Sequence, residues 1–375
     1  MIDVVQICYP GVGGQAAVAT GLAVEAAKAG SRHAIVFYGV EQTAEQYVRL
    51  CDDHEIPHTT IVKIPGIGIG ARRKLRKAIN NFGAETVIAH HHDTCITACI
   101  GLMVSSKNTI FVEHHSNALK SRKDWILSTL AHQLSDHTVY LTQAYRSRVS
   151  EKVGRFHKHE KTSVITNGLD LDLYPDSKQK HAGEIVIGMQ GRMDEGKDFA
   201  LLLDAFSRLQ SDFSDKNLSL ELIGDGPHRH GLESCSTSNV TFCGFLPHKE
   251  LVEKMRYWDI AVLATEGETL SMAVLESWAL AIPLIASDVP GVGDLIRDGQ
   301  DGLLFESKSS TALCERLTQI ISDQPYADHI GQRGRERVEC SYNRKNVWQE
   351  YQKLIQNLQH SAMPQVEEAK VDSLH

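Results

Sequence analysis

Two glutamates, Glu268 and Glu276, lie eight residues apart in VLATEGETLSMAVLESWALAIPLIAS. The apolar run Ile260–Leu263 ahead of them reads as a buried strand, and a helical pattern follows from about Ser271 to Leu280. Glu268 therefore falls in a loop, and Glu276 about a turn and a half into a helix. Free backbone N–H groups at a helix start receive phosphate well. A carboxylate further along the same helix can accept hydrogen bonds from vicinal hydroxyls, such as those of a ribose. Upstream, residues 188–198, GMQGRMDEGKD, leave a strand and open another helix, with Arg192 and Lys197 around a glycine-bearing loop. Arginine suits two-pronged contact with phosphate oxygens, and lysine acts as a mobile point charge. Together these groups could hold a diphosphate, a sugar ring and a nucleoside.

Other stretches offer weaker signals. PGVGG at 10–14 stands between the first strand and the first helix. Gly11-x-Gly13-x-x-Ala16 satisfies the dinucleotide fingerprint, with Glu41 after the second strand. A plain tight turn is a further reading of the same residues. His90, His91 and His92 end one strand, and His114 and His115 another. The carboxyl ends of strands in open α/β sheets are where ligands bind, but carboxylate partners at metal-ligand spacing are not evident, so no metal is expected. GDGP at 224–227 and Gly244-Phe245-Leu246 each follow a strand, as ligand loops and simple turns both do. The basic stretches 71–77, 121–123 and 146–161 read as solvated faces or as contacts to anionic lipid. Nucleic acid is not expected, because no aromatic stacking platform accompanies them and the whole chain is acidic.

The elements that must position these residues alternate between apolar β-rich runs and helical patterns, which argues for α/β architecture with parallel sheets. Strands are expected at Val4–Cys8, Ala34–Tyr38, Thr60–Ile64, Thr86–His90, Thr109–Glu113, His137–Leu141 and Ser163–Thr166, then at Ile185–Gln190, Ser219–Ile223, Val240–Cys243, Ile260–Leu263, Pro283–Ala286 and Gly302–Phe305. At 375 residues, two domains of roughly 150 to 190 residues are the natural expectation. The turn dipeptide, proline and polar run of Asn167–Lys180 mark the boundary, giving domains 1–166 and 167–360 and a mobile tail 361–375. Residues 1–166 carry 19 Lys+Arg against 14 Asp+Glu, and the remainder 20 against 33; +5 and −13 give the net −8. A basic half joined to an acidic half points to an anionic partner for the first. No apolar run approaches the roughly 18 to 20 residues that span a bilayer. No basic leader precedes the first strand, and the eight scattered cysteines form no C-x-x-C pair; reduced thiols in a cytoplasmic protein are expected.

Glu268-x7-Glu276, followed by SWALAIPLIAS and Gly-Val-Gly, resembles the donor-site signature of family 4 of the retaining glycosyltransferases, which have the GT-B fold. Thr269 and Ala281 replace glycines usual in that family, departures expected to tighten the backbone. GRMDEGKD resembles its G-R-L-x-x-x-K-G motif, PGVGG its P-x-x-G-G loop, TIFVEHH its V-x-T-x-H strand end, and NGLDLDLY its N-G-V-D-x-x-x-F segment. The resemblance runs from Val4 to about Leu358. It implies two Rossmann-like domains facing a central cleft, the first binding acceptor and the second donor, with the last helix packed back on the first. It further implies a metal-independent transfer from a nucleotide-diphosphate sugar to a saccharide or lipid-linked acceptor in cell-surface polysaccharide or glycolipid assembly. His114, Glu268, Arg192 and Lys197 would act on the sugar and the leaving group. Gly13, Gly14, Gly244, Phe245, Leu270, Ser271, Met272 and Glu276 would line the donor site. No cofactor beyond the donor is expected, and the setting would be cytoplasmic or peripheral on the inner membrane face. Two rivals stay open: a nicotinamide-dependent oxidoreductase using Gly11, Gly13 and Ala16, and a non-catalytic nucleotide-sugar-binding protein.

Overall fold

The computed structural model of the chain describes residues 2–11, 13–64, 69–102, 107–115, 117, 120–175, 179, 183–237 and 239–362. The expected tail, from 363 onward, and part of the expected boundary, 176–178 and 180–182, lie outside them. The first sheet holds β1 (Val4–Cys8), β2 (His33–Gly39), β3 (His58–Val62), β4 (Thr86–Ala89), β5 (Asn108–Glu113), β6 (His137–Tyr140) and β7 (Thr162–Val164), in the order β3-β2-β1-β4-β5-β6-β7. The second holds β8 (Glu184–Gln190), β9 (Asn217–Ile223), β10 (Val240–Gly244), β11 (Ile260–Leu263), β12 (Leu284–Ser287) and β13 (Leu303–Phe305), in the order β10-β9-β8-β11-β12-β13. Neighbours pair in parallel in both, as at Val4↔His33 and Ile260↔Ile187. Each expected strand is present, within a few residues at its ends.

Parallel strands need crossovers, and helices supply them. With the first sheet run α1 (Gly14–Lys28), α2 (Glu45–Asp53), α3 (Ile69–Phe82), α4 (His92–Leu102), α5 (Arg122–Leu134) and α6 (Gln143–Val153). With the second run α7 (Phe199–Asp212), α8 (Arg229–Ser234), α9 (His248–Met255), α10 (Met272–Ala279), α11 (Ser310–Ser322) and α12 (Gln324–Ser341), and α13 (Arg344–Ala362) ends the described chain. The helical patterns noted above do not reach α12. Its signals were Asp323, whose side chain caps the first turn with Pro325 just inside, and the buried Ala327, Ile330 and Val338. It packs on α10, and a side chain at Gly334 would run into the Trp278 ring.

α13 follows the second sheet in sequence but lies against α1. His33 stands edge-on to Trp348 with ring centroids 5.0 Å apart, and the Arg344 guanidinium fills the space above Gly21. The Leu169 and Arg344 backbones exchange contacts at 2.8 Å with Tyr342 and Leu169 respectively. One apolar cluster runs from Val4, Leu22 and Ile88 through Trp348 and Tyr351 to Leu275 and Leu284, so the two sheets share buried surface.

Candidate functional site

Each sheet changes direction once, between β1 and β4 and between β8 and β11. Open α/β sheets bind ligands at such switch points, beyond the carboxyl ends of the strands. In the second sheet the loops after β8 and β11 are fastened together there. The Lys197 and Thr265 backbones form an antiparallel bridge, Asp198 N–H donates to the Ala264 carbonyl at 3.0 Å, and Thr265 Oγ1 donates to the Gly196 carbonyl at 2.8 Å. That lacing sets the Lys197 ammonium on the Glu268 carboxylate, both largely enclosed. Gly291 supports the loop from behind. At φ +87° its α-carbon lies against the Glu268 carbonyl, where a β-carbon would collide.

α10 begins directly after this pair. Ser271 precedes it in extended conformation and makes no side-chain cap, so its first-turn N–H groups are open to an anion. Leu270 and Ser271 are buried, and Met272 is half-buried. One turn on, Glu276 is only 9% exposed. Its carboxylate accepts from Gln190 Nε2 at 2.5 Å and Tyr174 Oη at 3.3 Å, with His248 Nε2 at 3.7 Å. Burial and the neighbouring Glu276 charge push the Tyr174 hydroxyl well up from its ordinary value, so it stays a donor.

The facing wall comes from the first sheet. After β1, a side chain at Gly13 or Gly14 would meet nothing, and Tyr47 Oη donates to the Gly13 carbonyl at 3.1 Å. His114 follows β5. Its carbonyl accepts from Thr269 Oγ1 at 2.7 Å, a bond between the two domains beside Glu268. Its ring nitrogen Nε2 lies 3.0 Å from His90 Nδ1, and His90 Nε2 lies 2.9 Å from Gln6 Oε1. Burial drives the His114 pKa down to about 4 and that of His90 well below its ordinary value, so both rings are neutral near pH 7. Beneath them Glu113 pairs with Lys120 at 2.8 Å with both side chains buried. Burial alone would raise the Glu113 pKa, but the Lys120 charge and the hydrogen bonds from Lys120 and the His115 amide outweigh it and hold it low.

Residues 172–337 match the family described as Glycosyl transferases group 1, and residues 12–173 match Glycosyltransferase Family 4. The chain belongs to the group 1 glycosyltransferases, of the family 4 type. It is 24% identical over 308 residues to an uncharacterized glycosyltransferase of Methanocaldococcus jannaschii, covering 79% of this chain and 81% of that one. It is 26% identical over 296 residues to a Campylobacter jejuni N-acetyl-D-galactosaminyltransferase named for an undecaprenol-PP-linked saccharide, covering 76% and 79%. Among solved structures, Anabaena HepE in complex with UDP and glucose superposes with a TM-score of 0.81 at 17% identity, over 95% of this chain and 100% of that one. That likeness shows the GT-B fold, with two Rossmann-like domains.

In this glycosyltransferase Lys197, Glu268, Ser271, Met272 and Glu276 gather at one switch point, with His114 joined to them through Thr269. Arg192 stands apart. Its side chain is 70% exposed and pairs with Asp194 at 3.3 Å, while only Lys197 reaches Glu268. Gly244, at φ +71°, and the half-exposed Phe245 end β10 on the same side, beside Arg229. Glu41, the acid of the dinucleotide fingerprint, bonds the Tyr9 hydroxyl and fills the space above Gly11. Asp170, in the NGLDLDLY segment, binds Lys28 at 3.0 Å. Asp294 bridges the cleft to Arg148 at 2.6 Å. Two expectations about lost glycines change. Thr269 uses its hydroxyl to join the domains, and Ala281 keeps the left-handed conformation, at φ +52°. Gln190, His248, Thr269 and Gln6 were missed. Only Gln6, a lone amide inside the apolar run VVQIC, carried a visible signal.

Proposed function

We propose that this glycosyltransferase moves a sugar from a nucleoside-diphosphate sugar to a hydroxyl of a saccharide or lipid-linked saccharide, with retention and without a divalent metal. The observation that carries the reading is the Lys197–Glu268 pair, set beside the uncapped start of α10 and opposite His114. The bond from the anomeric carbon to the phosphate oxygen breaks. The bond to the acceptor oxygen forms on the same face, and the acceptor proton passes to the departing phosphate. Negative charge gathers on that phosphate, where Lys197 and the first-turn N–H groups of α10 are pre-arranged to receive it, with Arg192 free to swing in from Asp194. Glu268 supports positive charge at the anomeric carbon, and Glu276, already steadied by Gln190 and Tyr174, takes the ribose hydroxyls. The bond between Thr269 and His114 closes the cleft and keeps water from the donor. A thermal-shift panel of UDP, GDP, ADP, CMP and NAD, with and without magnesium, tests this. Ligand at a hundred times its dissociation constant adds about 2.7 kcal/mol of stability. A metal-independent shift with one nucleoside diphosphate is expected. A shift with NAD alone would overturn the reading, and so would none at all.

The acceptor side favours an anionic membrane at its cytoplasmic face. On α5, Ile126 is 68% exposed, and Leu130 and Leu134 continue an apolar row at four-residue spacing, with exposed Phe156 close by. Arg122 and Lys123 begin the helix, and Arg155 lies over the Phe156 ring. Residues 120–161 hold nine Lys+Arg against four Asp+Glu, the whole +5 excess of residues 1–166. An apolar stripe with a basic border is what a lipid interface attracts, and the Campylobacter relative is named for a lipid-linked saccharide. No helix among the described residues is long and apolar enough to cross the membrane. Cosedimentation with phosphatidylcholine vesicles is expected only when phosphatidylglycerol is added, and Ile126→Asp with Leu130→Asp is expected to abolish it. Equal binding by that double variant would refute the α5 face.

A further inference from the structure

Gln6 is a polar side chain in a strand buried along its whole length. An amide in such a place needs partners for both its ends. It has them, and both are histidines. Gln6 Oε1 faces His90 Nε2 at 2.9 Å, and Gln6 Nε2 faces His33 Nδ1 at 3.1 Å. His90 Nδ1 in turn faces His114 Nε2 at 3.0 Å. Four side chains from β2, β1 and the ends of β4 and β5 thus form one buried chain that ends in the sugar site.

The protons along this chain are interdependent. In this orientation of the Gln6 amide its carbonyl oxygen accepts, which sets the His90 proton on Nε2. A neutral His90 then offers a lone pair at Nδ1, and His114 must donate from Nε2. His114, also neutral, is left with a lone pair at Nδ1. Turning the Gln6 amide over would reverse every donor and move the His114 proton to Nδ1. The tautomer of the site histidine is therefore decided by an amide two hydrogen bonds away, as partners behind functional histidines commonly decide it.

We propose that Gln6, acting through His90, is a positioning residue that holds His114 as the Nε2–H tautomer, so that its Nδ1 accepts a hydrogen bond from a hydroxyl of the donor sugar. A hydroxyl that gives up its hydrogen to an acceptor gains electron density on oxygen, which favours a sugar ring becoming positive at its anomeric carbon. An Nδ1–H would draw density away instead. This inference rests on the proposed sugar transfer for its consequence, but not for its geometry.

Long-range proton–nitrogen spectra of the histidine rings in the full-length protein separate the two. The expected result is a protonated Nε2 and a bare Nδ1 on both His90 and His114. Protonated Nδ1 on His114 would overturn the proposal without any variant. Gln6→Met keeps the bulk of the side chain and removes both amide groups. It should leave His114 a mixture of tautomers and lower kcat about tenfold to a hundredfold, with the donor KM changed far less, the scale seen when an orienting partner is lost. A variant with the wild-type tautomer and kcat would overturn it. If the nucleotide panel gives no shift, the proposed transfer fails, while the ring spectra still decide the tautomer.

Discussion

Lys197 and Glu268 neutralise one another in the described structure, and this bears on how the site meets its donor. On the proposed function, a diphosphate entering at α10 would compete with Glu268 for the Lys197 ammonium, and its binding would free the carboxylate to turn toward the sugar. Removing either partner leaves the other charged and largely enclosed. Lys197→Ala and Glu268→Gln are each expected to lower kcat by about 10² to 10³, the loss typical of one pre-arranged charge in a transition state. Arg192 begins in solvent beside Asp194, and Arg192→Ala should act mainly on donor capture, raising KM about tenfold or less. Steady-state kinetics on the three variants check the ranking, and an Arg192→Ala enzyme as impaired in kcat as Lys197→Ala would contradict it. Spacing made Glu268 and Glu276 legible as one loop-and-helix unit, and Lys197, 71 residues before Glu268, was read from its own glycine-bearing loop. The partners of Glu276 were not, because Gln190, Tyr174 and His248 come from three separate stretches that only the fold brings together.

At the scale of elements, alternation of apolar runs with helical patterns revealed the strands, most plainly the central ones, because a strand covered on both faces has to be apolar throughout. Turns were harder to read, since a residue type does not report its backbone angle. Ala281 shows this. It follows α10 and stands at φ +52°, and α12 presses so close that a side chain at Gly331 would meet the Ala281 carbonyl. The turn is dictated by the packing of α10 on α12, and the alanine conforms to it. An L-residue in that region is disfavoured by about 1–2 kcal/mol, whereas glycine loses about 0.5–1 kcal/mol of chain entropy on being fixed. Ala281→Gly should therefore stabilise the protein by about 0.5–1 kcal/mol. Urea unfolding of the two proteins reads the difference, and a variant less stable than its parent would show that the turn carries no strain.

The whole molecule is tied across its cleft by Thr269 to His114, by Arg148 to Asp294 and by α13 on α1; the resemblance implied the last of these, and the two side-chain ties were not foreseen, because each joins residues far apart in sequence. A second property of the whole was half visible, in that twelve of 19 histidines fall in residues 1–166. Their burial was not. Burial brings His33, His91 and His114 down to about 4, and lowers His90 well below its ordinary value. In the unfolded chain these rings take up protons near pH 6.5, while in the fold they stay neutral until about pH 4. Between those values the unfolded state binds more protons, so acid draws the equilibrium toward it. The stability is complete above pH 6.5 and drains away as pH falls through the window. Each ring removes about 1.4 kcal/mol per pH unit there. Together they steepen the loss to several kcal/mol per unit, against a usual total of about 5–15 kcal/mol. Glu113, held low by Lys120, adds its own loss only below the ordinary carboxylate range. Thermal melting followed from pH 8 downward should hold level to about pH 6.5 and then fall steeply before any carboxylate titrates. A Tm unchanged from pH 7 to pH 5 would mean that the rings behind the sugar site are solvated in the fold, and that the chain from Gln6 to His114 does not hold them neutral.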